Sequence, residues 1–208
     1  MTRPPIALGD IHGRLDLLDA AIARFPDRQL LLLGDYVDRG PDSRGCIQRV
    51  RELVDSGRAV ALLGNHDLFM VEAVLRGQSR ELWIMNGGST TLAGYEGEPD
   101  ALEADARWMI ASLKPWHVQD GTMFSHAMRP DPTGQDDDAH LWGRPGNTPV
   151  YPLPEGVTVS VHGHTPQQQP KRVGLQDGTA LWLIDTGAVF WGTLTALDCE
   201  TWTPHAIT

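Results

Sequence analysis

Five short stretches of this chain carry residues that bind metal ions or move protons: GDIHG (9–13), GDYVDRGPDS (34–43), GNHD (64–67), SHA (125–127) and GHTP (163–166). They contribute Asp10, His12, Asp35, Asn65, His126 and His164. An Asp, His and Asn donor set without cysteine suits Mn²⁺, Fe or Zn²⁺ and does not suit a thiolate zinc site. Asp10 and His12 are two apart, so in an extended segment both side chains point to the same side. Asp35, Asp38 and Asp42 crowd around Arg39 directly behind the run Leu30–Leu33, which reads as a solvated turn or as the seat of a cation. Glycine precedes Asp10, Asp35 and Asn65, and lets backbone approach closely at each. Taken singly, a Gly-Asp after a strand is most often a turn; the ordered set is what points to a site. Among the other candidates, His162 is expected to pack or hydrogen-bond beside the site. His117, His140 and His205 read as surface or structural, Asp136–Asp138 as a solvated loop, and Trp83, Trp108 and Trp191 as core.

Each polar stretch ends an apolar run: IALGD, LLLLGD, VALLGNHD, TMFSH and VTVSVHGH. Short apolar runs that stop at glycine or polar residues read as buried strands with loops at their carboxyl ends. Helical patterns at 15–25 and 45–56 separate the first three, so strand–helix alternation predicts an α/β domain with parallel strands. In such sheets ligands collect at the carboxyl ends of strands, where these clusters fall. Residues 68–114 read as mostly helical with an interruption at 86–99. Residues 128–156 are rich in Pro, Gly and Asp and lack periodicity, and 180–202 reads as a hairpin of a second sheet. With 208 residues and no repeat or linker, one domain spanning 1–208 is expected.

A net charge of −10 argues against a general nucleic-acid or anionic-membrane surface. No stretch approaches 18 apolar residues and the first ten residues lack an apolar signal core, so a cytoplasmic protein is expected. The two cysteines, Cys46 and Cys199, have no paired-thiol spacing. Neither a Walker-type loop nor a G-x-G-x-x-G fingerprint is present, and the residues after Cys46 do not form a phosphate-cradling cysteine loop.

In this order the five motifs, together with NGGSTTLAGY and IDTGAVFWGTLTAL, resemble the calcineurin-like metallophosphoesterases, and among them the bacterial and phage-type branch of the serine/threonine phosphoprotein phosphatases. The resemblance implies an α/β metallophosphoesterase fold: a central β-sandwich of two mixed sheets flanked by helices, with a small helical insertion, residues 76–116, as a cap. It implies two divalent metal ions, Mn²⁺ first and Fe or Zn²⁺ as alternatives. Asp10 and His12 would bind one, Asn65, His126 and His164 the other, and Asp35 both. A hydroxide bridging the metals would attack phosphorus in line. His66 would protonate the leaving alkoxide, Asp38 would orient His66, and Arg39 and Arg144 would clamp phosphate oxygens. Asp42, together with Ser43, would cap the next helix. Two positions depart from the pattern: Leu63 stands where an arginine is usual in the phage and eukaryotic enzymes, and Asp67 where they have glutamate. The implied function is hydrolysis of phosphate monoesters, with phosphoserine or phosphothreonine in proteins first among substrates. The alternative is a dinucleoside polyphosphate hydrolase of the diadenosine tetraphosphatase kind, against which the Asp38 of VDRG speaks. Phosphodiester cleavage ranks below it, because Thr165 stands where many phosphodiesterases have histidine. A non-catalytic protein-binding scaffold is the third reading. The expected partners are a phosphorylated protein or small phosphoester, with no nucleic acid and no membrane.

Overall fold

A computed structural model describes residues 3–208, so the first two residues of the expected 1–208 domain lie outside it. The strands are β1 (Ile6–Leu8), β2 (Leu30–Leu32), β3 (Ala59–Ala61), β4 (Trp116–Gln119) and β5 (Thr122–Ser125), followed by β6 (Val159–His162), β7 (Lys171–Gly174), β8 (Ala180–Leu183), β9 (Leu194–Asp198) and β10 (Thr203–Ile207). Among the described residues they form two five-stranded sheets, ordered β10-β9-β1-β2-β3 and β4-β5-β6-β8-β7. The parallel pairs β1–β2 and β2–β3 are flanked by antiparallel β9 and β10, and parallel β5–β6–β8 by antiparallel β4 and β7. Both sheets are therefore mixed, and the central strands are parallel as the strand–helix alternation requires.

The leucine-rich strands read as continuous apolar runs because both of their faces are covered. Ile6, Leu8, Leu30 and Leu32 face a core shared with the helices, whereas Ala7, Leu31 and Leu33 meet Phe124, Val161, Trp182 and Ile184 between the sheets. The helices are α1 (Leu15–Arg24), α2 (Ser43–Asp55), α3 (Asn65–Leu75), α4 (Arg80–Trp83), α5 (Ser89–Ala93), α6 (Pro99–Ser112), α7 (Ala139–Trp142) and α8 (Ala188–Trp191). Among the described residues, no helix is long and apolar enough to cross a membrane.

Three local expectations need correction. The 180–202 segment is not a hairpin: β8 lies in the second sheet and β9 in the first, so the chain crosses between sheets over the ends of the central strands. The interruption at 86–99 is shorter than its glycines suggest. A wide helical turn, Ile84–Gly88, runs straight into α5 with a break at Gly87 (φ 111°), and the chain leaves helical geometry again only between α5 and α6, where Gly97 has φ 77°. Asp42 caps α2 without Ser43: its carboxylate accepts from the Gly45 N–H at 2.7 Å, while Ser43 is buried and its hydroxyl faces Asp38.

Candidate active site

All five motif stretches meet at one edge of the sandwich. β1 leads to Asp10 and His12, β2 to Asp35, β3 to the first turn of α3 with Asn65 and His66, β5 to His126, and β6 to His164. The backbone departs from strand geometry at these exits. His12, Asp35, Asp38, Arg39 and His164 have φ values of 46°, 54°, 73°, 70° and 62°. Left-handed backbone at residues with side chains costs about 1–3 kcal/mol each and clusters at functional sites. This overturns one premise of the sequence reading: Asp10 and His12 reach the same pocket through a turn at His12, not through strand alternation. Glycine is required at 64 and 163, where a Cβ would run into the carboxylates of Asp35 and Asp10.

Asp35 sits at the centre. One of its carboxylate oxygens lies 3.5 Å from Nε2 of both His12 and His126. The other accepts the His66 backbone N–H at 2.9 Å. His12 Nδ1 donates to the Val37 carbonyl (2.7 Å) and His126 Nδ1 to the Leu33 carbonyl (2.9 Å), which leaves both Nε2 lone pairs pointing inward. His126 Nε2 and His164 Nδ1 each approach Asn65 Oδ1 at 2.9 Å. Two groups of ligand atoms result, His12–Asp35–His66 and Asp35–His126–His164, each within 4.8 Å and sharing Asp35. His66 differs from the other imidazoles, because its Nδ1 is committed to Asp38 at 2.7 Å. Asp10 faces the same pocket and is anchored by the His164 backbone N–H, 3.0 Å from both its oxygens.

The electrostatics fit cations. Burial pushes His12 and His164 down to about 3 and lowers His126, so all three present neutral, ligating imidazoles near neutral pH. Burial, Asp185 and Asp35 push Asp10 upward, and burial with Asp35 raises Asp185 to about 6. Burial alone would raise Asp35 as well, but His126, His66, His12 and His164 hold it below its ordinary value. His66 moves the other way: burial opposes its charge, yet Asp35 and the hydrogen bond it donates to Asp38 raise it above its ordinary value. Three buried carboxylates facing neutral imidazoles and an amide oxygen make a donor set suited to divalent cations, which would become the largest local charges.

Asp10, His12, Asp35, Asn65, His66 and His164 line a cavity of about 230 Å³ together with Arg39, Asn86, Trp142, Arg144, Asp185 and Phe190, while His126 is fully buried behind them. A larger surface hollow of about 760 Å³, lined by Arg3, Arg28 and Arg58 among others, contains none of the donors. Arg39 Nη1 lies 2.7 Å from His12 Nε2, and its guanidinium carbon is 5.4 Å from the centre of the Phe190 ring. Arg144 stands on the exposed rim. Leu63 packs in the helix-side core, so that position offers nothing to the pocket. His162 is buried between the hydroxyls of Ser125 (3.0 Å) and Ser160 (2.9 Å), next to the site and outside it. Trp83 is fully buried, as expected, but Trp191 is 57% exposed and is not core.

Sequence reasoning missed one carboxylate here and noted another only as a departure from the family pattern. Asp185 follows β8 in the same apolar-run grammar as the other motifs and could have been found that way. Asp67 has a scaffolding place: its carboxylate accepts the backbone N–H groups of Asp35 (2.8 Å), Tyr36 (2.9 Å) and Gly64 (2.9 Å). It thereby ties the β2 exit to the start of α3, a link that no spacing along the chain reveals.

Comparison with known proteins agrees with this fold. The family model for calcineurin-like phosphoesterases matches residues 4–185. Serine/threonine-protein phosphatase 1 of Salmonella typhimurium is 34% identical over 207 residues, covering 90% of this chain and 88% of the relative. The asymmetrical bis(5'-nucleosyl)-tetraphosphatase PrpE of Bacillus cereus is 31% identical over 224 residues, covering 91% and 88%. The crystal structure of a metallophosphoesterase from Sphaerobacter thermophilus superposes with a TM-score of 0.62 at 16% identity, covering 100% of this chain and 89% of that one, a likeness of fold. The chain belongs to the calcineurin-like phosphoesterase family.

Proposed function

We propose that this protein is a metal-dependent phosphatase of phosphate monoesters, with phosphoserine and phosphothreonine side chains of proteins as its substrates. The observation that carries the reading is the buried His66–Asp38 pair, 2.7 Å apart, beside the ligand cluster. An alkoxide is a poor leaving group, and a protonated imidazole held against a carboxylate is the device that relieves it.

Asp10 and His12 would hold one cation in this scheme, Asn65, His126 and His164 the other, and Asp35 would serve both. Mn²⁺ is the metal we favour, with Fe or Zn²⁺ as substitutes. When bound, the pair of cations supplies an activated water and neutralises charge on the transferring phosphoryl group. Arg39 and Arg144 bind the phosphate oxygens from the mouth of the cavity, where planar guanidinium forks match them. His66 Nδ1 stays on Asp38, so its Nε2 carries the proton passed to the leaving oxygen as the P–O bond breaks. We further assign residues 1–208 to a single domain, residues 76–116 to a helical cap within it, and the protein to the cytoplasm.

The 31% identity to a dinucleoside tetraphosphatase favours a second reading, hydrolysis of dinucleoside polyphosphates on the same ligands. Phosphate release by the Mn²⁺-loaded protein from a phosphothreonine peptide, set against nucleotide release from diadenosine tetraphosphate, separates the two. A higher kcat/KM on the peptide is the expected result. A preference for the dinucleotide would overturn the protein-phosphatase reading in favour of the second, and no turnover of either would leave the scaffold reading.

A further inference from the structure

The general-acid pair is not supported by the strand ends alone. Asp38 is completely buried, and a buried carboxylate needs hydrogen-bond donors. Its Oδ2 faces His66, and two donors come from the helical insertion: the Thr91 hydroxyl at 2.7 Å from Oδ1, and the indole N–H of Trp83, shared between Oδ1 at 2.9 Å and Oδ2 at 3.1 Å. The Asp38 backbone N–H lies 3.0 Å from both the Ser43 and Thr91 hydroxyl oxygens, which are 3.0 Å apart. Since the Thr91 proton goes to Asp38, the Ser43 proton goes to Thr91, and the ring of donors closes. The N-G-G stretch makes room for this arrangement. The Gly87 carbonyl accepts the Arg39 backbone N–H at 3.2 Å, and a Cβ at Gly88 would lie 2.6 Å from the Trp83 indole nitrogen.

We propose that Trp83 and Thr91 are positioning residues for proton transfer: with Thr91 on Asp38 Oδ1 and the Trp83 N–H across both oxygens, they fix the carboxylate with Oδ2 on His66 and hold the imidazole at the angle that aims Nε2 at the leaving oxygen. The insertion is thus a structural part of the general acid as well as a cover over the site. This rests on the general-acid reading of His66. It also accounts for the side-by-side placement of Trp83, Gly87, Gly88 and Thr91, four residues with no ligand of their own. Misaiming a reacting group by about 1 Å costs about 10²-fold in rate, so loss of one donor should be felt on that scale.

The test uses Trp83→Phe, which keeps the buried ring and removes its N–H, and Thr91→Val, which keeps the shape and removes the hydroxyl. Thr91→Ser is the conservative rescue and His66→Asn the reference. Turnover by the Mn²⁺-loaded full-length proteins is measured on phosphate monoesters whose leaving groups range from alkyl alcohols to nitrophenols, with bound metal counted in each. The expected result is a loss of about 10–100-fold on alkyl phosphates that shrinks as the leaving group becomes more acidic. Metal content should be unchanged, and Thr91→Ser should restore most of the rate. In the metal-free proteins, the low-field Nδ1–H resonance of His66, identified by its absence from His66→Asn, should weaken in Trp83→Phe and Thr91→Val. Rates within 3-fold of wild type on alkyl phosphates with the resonance intact, or a loss equal across all leaving groups, would overturn the proposal. If His66→Asn itself shows no leaving-group dependence, the general-acid reading falls with it. If His66→Asn shows the dependence and the other two variants do not, only the positioning role falls.

Discussion

Asp185→Asn should stabilise the metal-free protein at pH 8 and lose most of that gain at pH 4. Burial and the charge of Asp35 raise the Asp185 carboxyl from 3.8 to about 6. A displacement of that size corresponds to about 3 kcal/mol between the charged and neutral forms. The sign follows from linkage. Above about pH 6 the carboxyl is ionised in both states and folding must bury the charge, so the whole penalty applies. Between about pH 6 and 4 the penalty fades, and below the unfolded value both states are protonated and it vanishes. Asparagine removes the charge and keeps a carbonyl oxygen for the Gly187 N–H, which Asp185 accepts at 2.8 Å. The net gain at pH 8 is then about 2 kcal/mol, or roughly 4–8 °C in Tm for a chain of this size. Thermal unfolding of chelator-treated wild type and variant at the two pH values measures it. No gain at pH 8, or an equal gain at pH 4, would show that Asp185 is not held as a strained carboxylate. Divalent metal should narrow the difference between the two proteins at pH 8, because it supplies the missing countercharge.

Asp35→Asn should abolish both metal retention and turnover, because Asp35 is common to both ligand groups; stoichiometric metal in a dialysed variant would contradict that placement. Arg129→Met should destabilise the fold by about 2–4 kcal/mol in urea unfolding. The fully buried guanidinium donates to Ser160 Oγ, Thr179 Oγ1 and the carbonyls of Tyr151 and Ala180, joining the long 128–156 segment to the second sheet. Asp198→Asn, far from the site, should cost about 1–2 kcal/mol at pH 7 through loss of the paired contacts with Arg28 at 2.9 and 3.1 Å. Burial works against the Asp198 charge, but Arg28 holds the carboxyl below its ordinary value. The deficit should therefore be complete above about pH 4 and fade as the pH falls through the lowered folded value; a deficit that persists at pH 2 would place its origin in packing.

Much of this protein was written along the chain. Apolar runs that end abruptly in Gly-Asp, Gly-Asn-His or Ser-His specify buried strands whose exits carry candidate ligands, since only covered strands tolerate such continuous hydrophobicity. The helices after β1 and β2 and the irregular 128–156 segment followed from local pattern, and the candidate donors from the order of the motifs and the family they resemble. What the pattern could not carry is contact between distant segments. Whether Ala180–Leu183 and Leu194–Asp198 pair with each other or join different sheets depends on which faces are already filled, and no local periodicity encodes that choice. The turn at His12 is another such case, because its left-handed backbone is imposed by the Asp35 and Val37 carbonyls that receive its N–H and its ring. Asp67 and Asp185 looked like ordinary carboxylates until the fold placed three backbone amides around one and Asp10 beside the other. Residue types along the sequence determined what could bind a metal or carry a proton. Only the tertiary structure decided which donors meet Asp38, because Trp83 and Thr91 lie 45 and 53 residues beyond it and reach it through the packing of the insertion.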